Sequence, residues 1–187
     1  MDSSKYQGRY RIPSARHPVW DYATPAAYFI TICTRDRHPY FGHLRNGTMT
    51  HSAMGQIAWD VWHLIPAQFD HCRLDAFVVM PNHIHGVLVL VAHFDHAGRD
   101  AINRVSTPPP IAPTPPPIGG VTGKHNPMLG KSVSRIIRWY KGRCTHTMRK
   151  IRPDFTWQPR FHDRIIRNDK ELTAIRRYIC NNAIHHS

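Results

Sequence analysis

Two long apolar segments joined by a two-residue turn constrain the fold of this chain more than any other feature. The segments from Leu74 to Met80 (LDAFVVM) and from His83 to Val91 (HIHGVLVLV) are rich in β-branched residues and flank Pro81-Asn82. Such runs around a short turn sequence are typical of an antiparallel β-hairpin. The pattern therefore predicts that the two segments lie side by side in a sheet.

The periodicity on both sides of this hairpin predicts further elements. Residues 27–34 (AYFITICT) have the β-branched and aromatic composition of a strand. Apolar residues at helical spacing predict one helix from Met54 to Ile65, ended by Pro66, and a second from Val133 to Cys144. A short strand from Phe161 to Ile166 follows the second helix.

A last helix begins at Asn168, because Glu171 follows at the spacing of a capping box. Its apolar stripe consists of Leu172, Ile175 and Ile179. The resulting order β-α-β-β-α-β-α predicts an α+β fold, a ferredoxin-like split βαβ antiparallel sheet with an added C-terminal helix. With 187 residues, of which 41% are hydrophobic, we expect a single domain over residues 1–187.

One segment interrupts this pattern. Residues 106–120 (STPPPIAPTPPPIGG) hold seven of the 16 prolines and lack the backbone donors that a packed element needs. We interpret this segment as a proline-rich flexible insert within the domain.

Composition excludes several classes of protein. A mean hydropathy of −0.45 and the lack of a long apolar run exclude a membrane-spanning protein. The N-terminus has no apolar stretch of the kind that forms a secretory signal. Four cysteines stand far apart without a CxxC motif, so we expect reduced thiols and a cytoplasmic location.

The charge of the chain points to a polyanionic partner. There are 25 Lys and Arg against 12 Asp and Glu, and residues 124–170 hold 13 of these basic residues but only three acids. Such a local excess indicates a surface that follows phosphates, with a merely solvated surface as the alternative. The candidate nucleic-acid contacts are Lys131, Arg135, Arg138, Arg160 and Arg167, with Trp157 as a ring on which bases could stack or as a core residue.

Two histidines form a candidate metal site. His83 and His85 are two residues apart on a predicted strand, so both imidazoles point to the same face. We expect this face of the sheet to be reachable by solvent. Two neutral imidazoles side by side suit a divalent cation, but the spacing alone is equally that of surface or hydrogen-bonded histidines.

The string around these histidines carries a family resemblance. Residues 80–86 (MPNHIHG) resemble the His-hydrophobic-His signature of HUH single-strand DNA endonucleases, in particular the single-tyrosine transposases that include the REP-associated tyrosine transposases of bacteria. Residues 156–161 (TWQPRF), residues 166–168 (IRN) and then Tyr178, Ile179 and Asn182 resemble three further motifs of that family, in the same order.

The resemblance implies a mechanism. Tyr178 would be the nucleophile and His83, His85 and Asn182 would be the metal ligands, with Mg²⁺ or Mn²⁺ as the cofactor. The expected activity is cleavage and rejoining of single-stranded DNA through a 5′-phosphotyrosine intermediate, at hairpins of repetitive palindromic sequences. Single-stranded or hairpin DNA is the expected partner, and a monomer is favoured over a homodimer.

Some readings stay open at this stage. The resemblance runs from about Tyr6 to Asn182 outside the insert, but family members usually carry a proline where Ala183 stands. Tyr140 is a rival nucleophile, although its place on an apolar helical stripe favours a core position. A non-catalytic nucleic-acid-binding module and a phosphodiesterase that activates water on the two histidines are the alternative functions.

Overall fold

The computed structural model describes the backbone of residues 5–6, 9–10, 23–92 and 132–185, and the side chains of residues 23–92 and 132–182. The predicted insert (106–120) and Lys131 lie outside the described residues. Near the N-terminus, β1 (Lys5–Tyr6) pairs with β2 (Arg9–Tyr10) in an antiparallel ribbon.

A four-stranded antiparallel sheet forms the centre of the fold. In chain order the remaining strands are β3 (Ala27–Cys33), β4 (Gly42–Arg45), β5 (Thr48–His51), β6 (Cys72–Met80), β7 (His83–Leu90) and β8 (His162–Ile166). The sheet has the order β6-β7-β3-β8, and β4 and β5 form a separate hairpin. Because β7 lies between β3 and β6, the predicted split βαβ arrangement is confirmed.

Within residues 23–92 and 132–185, four α-helices accompany the sheet. They are α1 (Ala53–His63), α2 (Ile65–Gln68), α3 (Val133–Met148) and α4 (Asp169–His185). The expectation that Pro66 ends the first helix is wrong, since α1 ends at His63 and Pro66 lies in the first turn of α2. Proline fits that position because its missing N–H would have no partner inside a helix there. Among residues 23–92 and 132–185, none of the helices combines the length and the apolarity needed to cross a bilayer.

The start of α4 follows the predicted capping box with one difference. The Asn168 side-chain oxygen accepts a hydrogen bond of 2.9 Å from the Glu171 N–H. The Glu171 carboxylate, however, accepts from the Arg167 N–H at 3.0 Å rather than from Asn168. The helix thus begins where the sequence predicts. The hydrogen bond from the backbone to the Glu171 carboxylate comes from the residue before the cap and not from the cap itself.

The two faces of the sheet carry different cores. One face packs against α1 and α3 in the larger core, which includes Tyr28, Trp62 and Tyr140. The other face packs against α4 in a smaller core formed by Val87, Ile166, Ile175 and Ile179. The alternation of side chains along β7 therefore directs even-numbered residues into the large core and odd-numbered residues toward α4.

Gly86 allows a buried tryptophan to lie against β7. A Cβ atom at Gly86 would collide with the ring of Trp62, which is fully buried and stacks on Phe77 at a centroid distance of 4.6 Å. Rings held in this way cannot move aside without disturbing the large core. The glycine that follows the two histidines is therefore required by packing.

We expect Gly86→Ala to lower the free energy of unfolding by about 1–3 kcal/mol, because the added methyl group overpacks the core. Urea denaturation checks the value. Gly142→Ala is the matched control, since a Cβ at that helical position meets no atom within 4 Å. The control should be neutral or slightly stabilising, because alanine favours a helix more than glycine does. Equal stability of the two variants would contradict the packing argument.

An ion pair also fastens α4 to the sheet. The Arg176 guanidinium donates two hydrogen bonds to the Asp75 carboxylate, with distances of 2.8 and 2.6 Å. The hydrogen bond from Arg176 holds the pKa of Asp75 below its usual value. At the start of the helix Arg164 of β8 lies 2.5 Å from Glu171. Strands β6 and β8 of the sheet thus each form an ion pair with α4.

We expect Arg176→Met to lower the free energy of unfolding by about 0.5–1 kcal/mol at pH 7, as for a bidentate pair near the surface. A lowered folded-state pKa gives stability that is present above the unfolded pKa of about 4 and is lost as the pH falls through the folded value. The difference between parent and variant should therefore disappear in acid. Denaturation at several pH values measures it, with Arg177→Met as the control. A difference that persists at pH 2 would contradict the pair's role.

Candidate active site

The two histidines are covered rather than open to solvent. His83 and His85 are only 9% and 6% exposed. The expectation of a solvent-reachable face is wrong, because α4 packs on the side of the sheet to which both imidazoles point. The site is therefore an enclosed seam between β7 and α4.

His85 connects the sheet to Tyr178. Its Nδ1 lies 2.8 Å from the Thr31 hydroxyl, and its Nε2 lies 3.3 Å from the Tyr178 hydroxyl. If the phenol donates to Nε2, then Nδ1 carries the ring hydrogen and donates to Thr31. Phe29 stacks against the same imidazole at a centroid distance of 5.3 Å. The ring is thus held in one orientation with Nε2 directed at the tyrosine.

His83 is positioned through the hairpin turn. Its Nδ1 lies 2.7 Å from the Asn82 side-chain oxygen, and its ring centroid lies 4.6 Å from that of His85. The Asn82 carbonyl in turn accepts 2.9 Å hydrogen bonds from both the backbone N–H and the hydroxyl of Thr34. With Nδ1 engaged by Asn82, a metal bound by His83 would lie on Nε2.

The two candidate nucleophiles have opposite environments. Tyr178 is 48% exposed, with its hydroxyl at His85 and one edge against Phe29. Tyr140 is fully buried and donates a 3.0 Å hydrogen bond to the Ala58 carbonyl. Burial raises the pKa of Tyr140 well above its usual value. The prediction that Tyr140 is a core residue is confirmed, and only Tyr178 is accessible to a substrate.

Asn182 supplies the observation that a metal would explain. The residue is 1% exposed, and neither its side-chain oxygen nor its side-chain nitrogen has a hydrogen-bond partner among the described residues. Leaving a buried amide unpaired costs about 1–3 kcal/mol. A cation on the amide oxygen would offset this cost.

The position of Asn182 also fits the two histidines. From Tyr178 to Asn182 the helix advances about 6 Å, and from His85 to His83 the strand advances about 6.6 Å. Ile175 and Val87 share the smaller core and Tyr178 contacts His85, so successive turns of α4 follow β7 toward His83. Two imidazoles and an amide oxygen thus fit a divalent cation. No group of three His, Cys, Asp or Glu side chains at metal-binding distance occurs within residues 23–92 and 132–182.

The predicted DNA-contacting residues fall into three places. Arg135 and Arg138 are exposed on the outer side of α3, and Arg160 and Arg167 are exposed at the two ends of β8. Trp157 is the exception, because it is 7% exposed and packs against Phe41 and Phe155 at centroid distances of 5.3 Å. Its interpretation as a ring that stacks on bases is wrong, and its side chain belongs to the core.

Two residues that orient the histidines, Asn82 and Thr31, were not predicted from the sequence. Asn82 lies inside the MPNHIHG string, so its position directly before His83 was the available signal. Thr31 carries no local signal, because its contact with His85 depends on the register between β3 and β7.

All four cysteines are free thiols, of which Cys180 is exposed.

Comparison with known proteins finds one relative by sequence and one by structure. No family model matches the chain. A protein of Haemophilus influenzae with no assigned function is 30% identical over 184 residues, which cover 97% of this chain and 94% of that protein. The chain belongs to the family of that protein.

The fold has a solved counterpart. The structure of a REP-associated tyrosine transposase bound to a REP hairpin matches 94% of this chain and 75% of the transposase, with a TM-score of 0.58 and 19% sequence identity. The chain therefore has a REP-associated tyrosine transposase-like fold, as the sequence motifs predict.

We expect Asn182→Leu to raise the free energy of unfolding of the metal-free protein by about 1 kcal/mol or more, because it replaces an unpaired buried amide with an apolar group of similar size. The same variant should bind Mn²⁺ more weakly. Thermal denaturation and calorimetric titration with MnCl₂ measure the two effects. Asn181→Leu on the same helix is the control. Destabilisation without a change in metal affinity would show that the amide is paired in the folded protein.

Proposed function

We propose that the protein is a metal-dependent single-stranded DNA endonuclease and strand transferase. The 3.3 Å contact between the hydroxyl of the half-exposed Tyr178 and His85 is the observation that supports this best. The likeness to a transposase bound to a REP hairpin supports hairpins of repetitive palindromic sequences as the proposed substrate class. We place this activity in the bacterial cytoplasm and favour a monomer as the acting form.

The chemistry requires an in-line attack on a phosphodiester. The Tyr178 oxygen forms a bond to phosphorus, the bond to the 3′-oxygen breaks, and the product is a 5′-phosphotyrosine with a free 3′-hydroxyl. The phenolic proton is lost to solvent at the exposed edge of the seam, and a proton from solvent completes the 3′-hydroxyl. Attack by the 3′-hydroxyl of another strand reverses these steps and rejoins the DNA.

The residues of the seam suit a cation in this reaction. His83, His85 and Asn182 would hold Mg²⁺ or Mn²⁺, which would offset the charge on the non-bridging phosphate oxygens. All three ligands are neutral, so the full charge of the ion would act on the phosphate. His85 Nε2 could not hold an ion and accept from Tyr178 at once, so with an ion on His85 the Tyr178 hydroxyl would leave this hydrogen bond.

We expect Tyr178→Phe to abolish both cleavage and the covalent protein–DNA product, because the change removes the attacking oxygen and keeps the ring. Incubation with labelled single-stranded hairpin DNA and MgCl₂, followed by denaturing electrophoresis, measures both. Tyr140→Phe should retain the covalent product, although loss of its buried hydrogen bond costs about 1 kcal/mol of stability.

Two other outcomes of this assay would each indicate one of the alternative functions. Cleavage by Tyr178→Phe without a covalent product indicates the phosphodiesterase that activates water. Tight binding without cleavage by the parent protein indicates a non-catalytic nucleic-acid-binding module.

The metal ligands have a separate test. His83→Ala and His85→Ala should abolish cleavage in MgCl₂ or MnCl₂ while DNA affinity changes only a few-fold, since basic residues supply most of the binding energy. His63→Ala, at an exposed position on α1, is the matched control. Cleavage by both site variants at the parent's rate would place the metal elsewhere.

A further inference from the structure

The turn after β3 places two arginines beside the candidate metal site. It spans Arg35–Arg37, and all three of its residues are exposed. Two residues before it, Cys33 lies directly opposite His83 in the register of β3 and β7. Residues paired in this way have Cα atoms only about 4.5–5.5 Å apart. The turn therefore leaves the sheet next to a candidate metal ligand, and we call residues 34–38 the arginine loop.

The backbone of the arginine loop adopts a conformation that its residues disfavour. Asp36 and Arg37 have φ angles of 54° and 55°, in the left-handed region. This region brings the Cβ atom of an L-residue close to a carbonyl oxygen, and arginine lacks the short polar side chain that helps Asp or Asn adopt it. Such strain persists only where the surrounding structure imposes it, and it is concentrated at functional sites. What holds the loop in this conformation therefore bears on its role.

The arginine loop is held by the two segments that carry the family motifs. The hydroxyl and the backbone N–H of Thr34 both lie 2.9 Å from the Asn82 carbonyl. On the other side, the Arg35 N–H donates a 3.1 Å hydrogen bond to the Thr156 carbonyl. Because Asn82 also orients His83 through its side chain, the loop and this candidate ligand share one anchor.

The guanidinium groups of the arginine loop are available to an anion. Arg35 Nε lies 3.8 Å from the Asp36 carboxylate, in a long ion pair whose side chains are 64% and 90% exposed. Within residues 23–92 and 132–182, no carboxylate forms an ion pair with Arg37. Burial raises the pKa of the Cys33 thiol, and the charge of Arg37 opposes this rise, so that charge acts at the end of β3. The planar fork of donors on arginine suits a phosphate in particular.

We propose that Arg35 and Arg37 bind a phosphate of the single strand, next to the linkage that lies in the seam at His83. The loop would hold the strand by its backbone, so it would add affinity without reading the base sequence. The shared anchor at Asn82 would fix the distance between this phosphate and the candidate metal ligands. The position relative to the cleaved linkage rests on the proposed function, whereas the phosphate contact itself requires no cleavage.

Neutral linkages can locate the contacted phosphate. The probe is hairpin DNA with single-stranded extensions, in which one phosphodiester at a time is replaced by an uncharged methylphosphonate. Binding is measured at about 50 mM salt without divalent metal, where phosphate contacts are strong. We expect the parent to lose about tenfold in affinity when the contacted linkage is neutral. The double variant Arg35→Gln/Arg37→Gln should lose about tenfold on the unmodified strand.

The two losses should not add at the contacted linkage, because both changes remove the same contact. Arg45→Gln is the matched control, since it removes an exposed charge on the β4–β5 hairpin, and its small effect should add to that of every linkage. Asp36→Asn should tighten binding about twofold, because it removes a carboxylate beside the arginines and asparagine tolerates the same backbone. All four positions are exposed, so we expect melting temperatures close to that of the parent.

Three results would overturn the proposal. Losses that add at every linkage would show that the arginines contact no particular phosphate. Unchanged or weaker binding by Asp36→Asn would show that the charge of the loop does not act on DNA. Non-additive losses at a linkage more than about three nucleotides from the cleavage point, roughly 10 Å along a strand, would separate the loop from the seam.

Failure of the proposed function would look different. Non-additive losses at one linkage, in a protein that forms no covalent product with the same DNA, would support the phosphate site and contradict the strand transferase.

Discussion

The packing of α4 on the odd-numbered side of β7 is the contact on which the site depends. Ile175 and Ile179 bury this side of the sheet together with Val87, and the same contact places Tyr178 at His85. Apolar burial gives the helix its affinity for the sheet, whereas the ion pair of Arg176 with Asp75 fixes its position along the strand. A helix shifted by one residue would turn Tyr178 away from the histidines.

Most of the fold could be predicted from the chain because its elements are strongly periodic. Composition and the turn sequence predict the long hairpin, apolar spacing predicts both helices of the larger core apart from the end of α1, and the capping residues predict the start of α4. The β4–β5 hairpin was missed, although Asn46-Gly47 is a turn sequence and both residues have positive φ angles of 50° and 71°. Its strands are short and half exposed, so they lack the apolar run that marks the others.

The candidate site was less predictable for a different reason. Sequence spacing places His83 and His85 on one face, but it does not say which element covers that face. Burial of both imidazoles and the contact with Thr31 depend on the strand register and on the docked helix, which are tertiary properties. For Trp157 the prediction was exposed instead of buried. Its place in a basic segment predicted a ring on which bases stack, but the side chain is buried in the larger core.

The unequal sizes of the two cores suggest how such a covered site admits DNA. The larger core holds the sheet to α1 and α3, whereas a smaller cluster, with four buried and six partly buried apolar side chains among the described residues, holds α4. Local opening begins where the least apolar surface is buried, so among the helices packed on the two faces of the sheet we expect α4 to separate before α1 and α3. Its separation would uncover His83 and His85, but it would also carry Tyr178 and Asn182 away from them, because both lie on this helix. Under the proposed function, cleavage would therefore require α4 to dock again on the sheet, so that Tyr178 and Asn182 return to the two histidines.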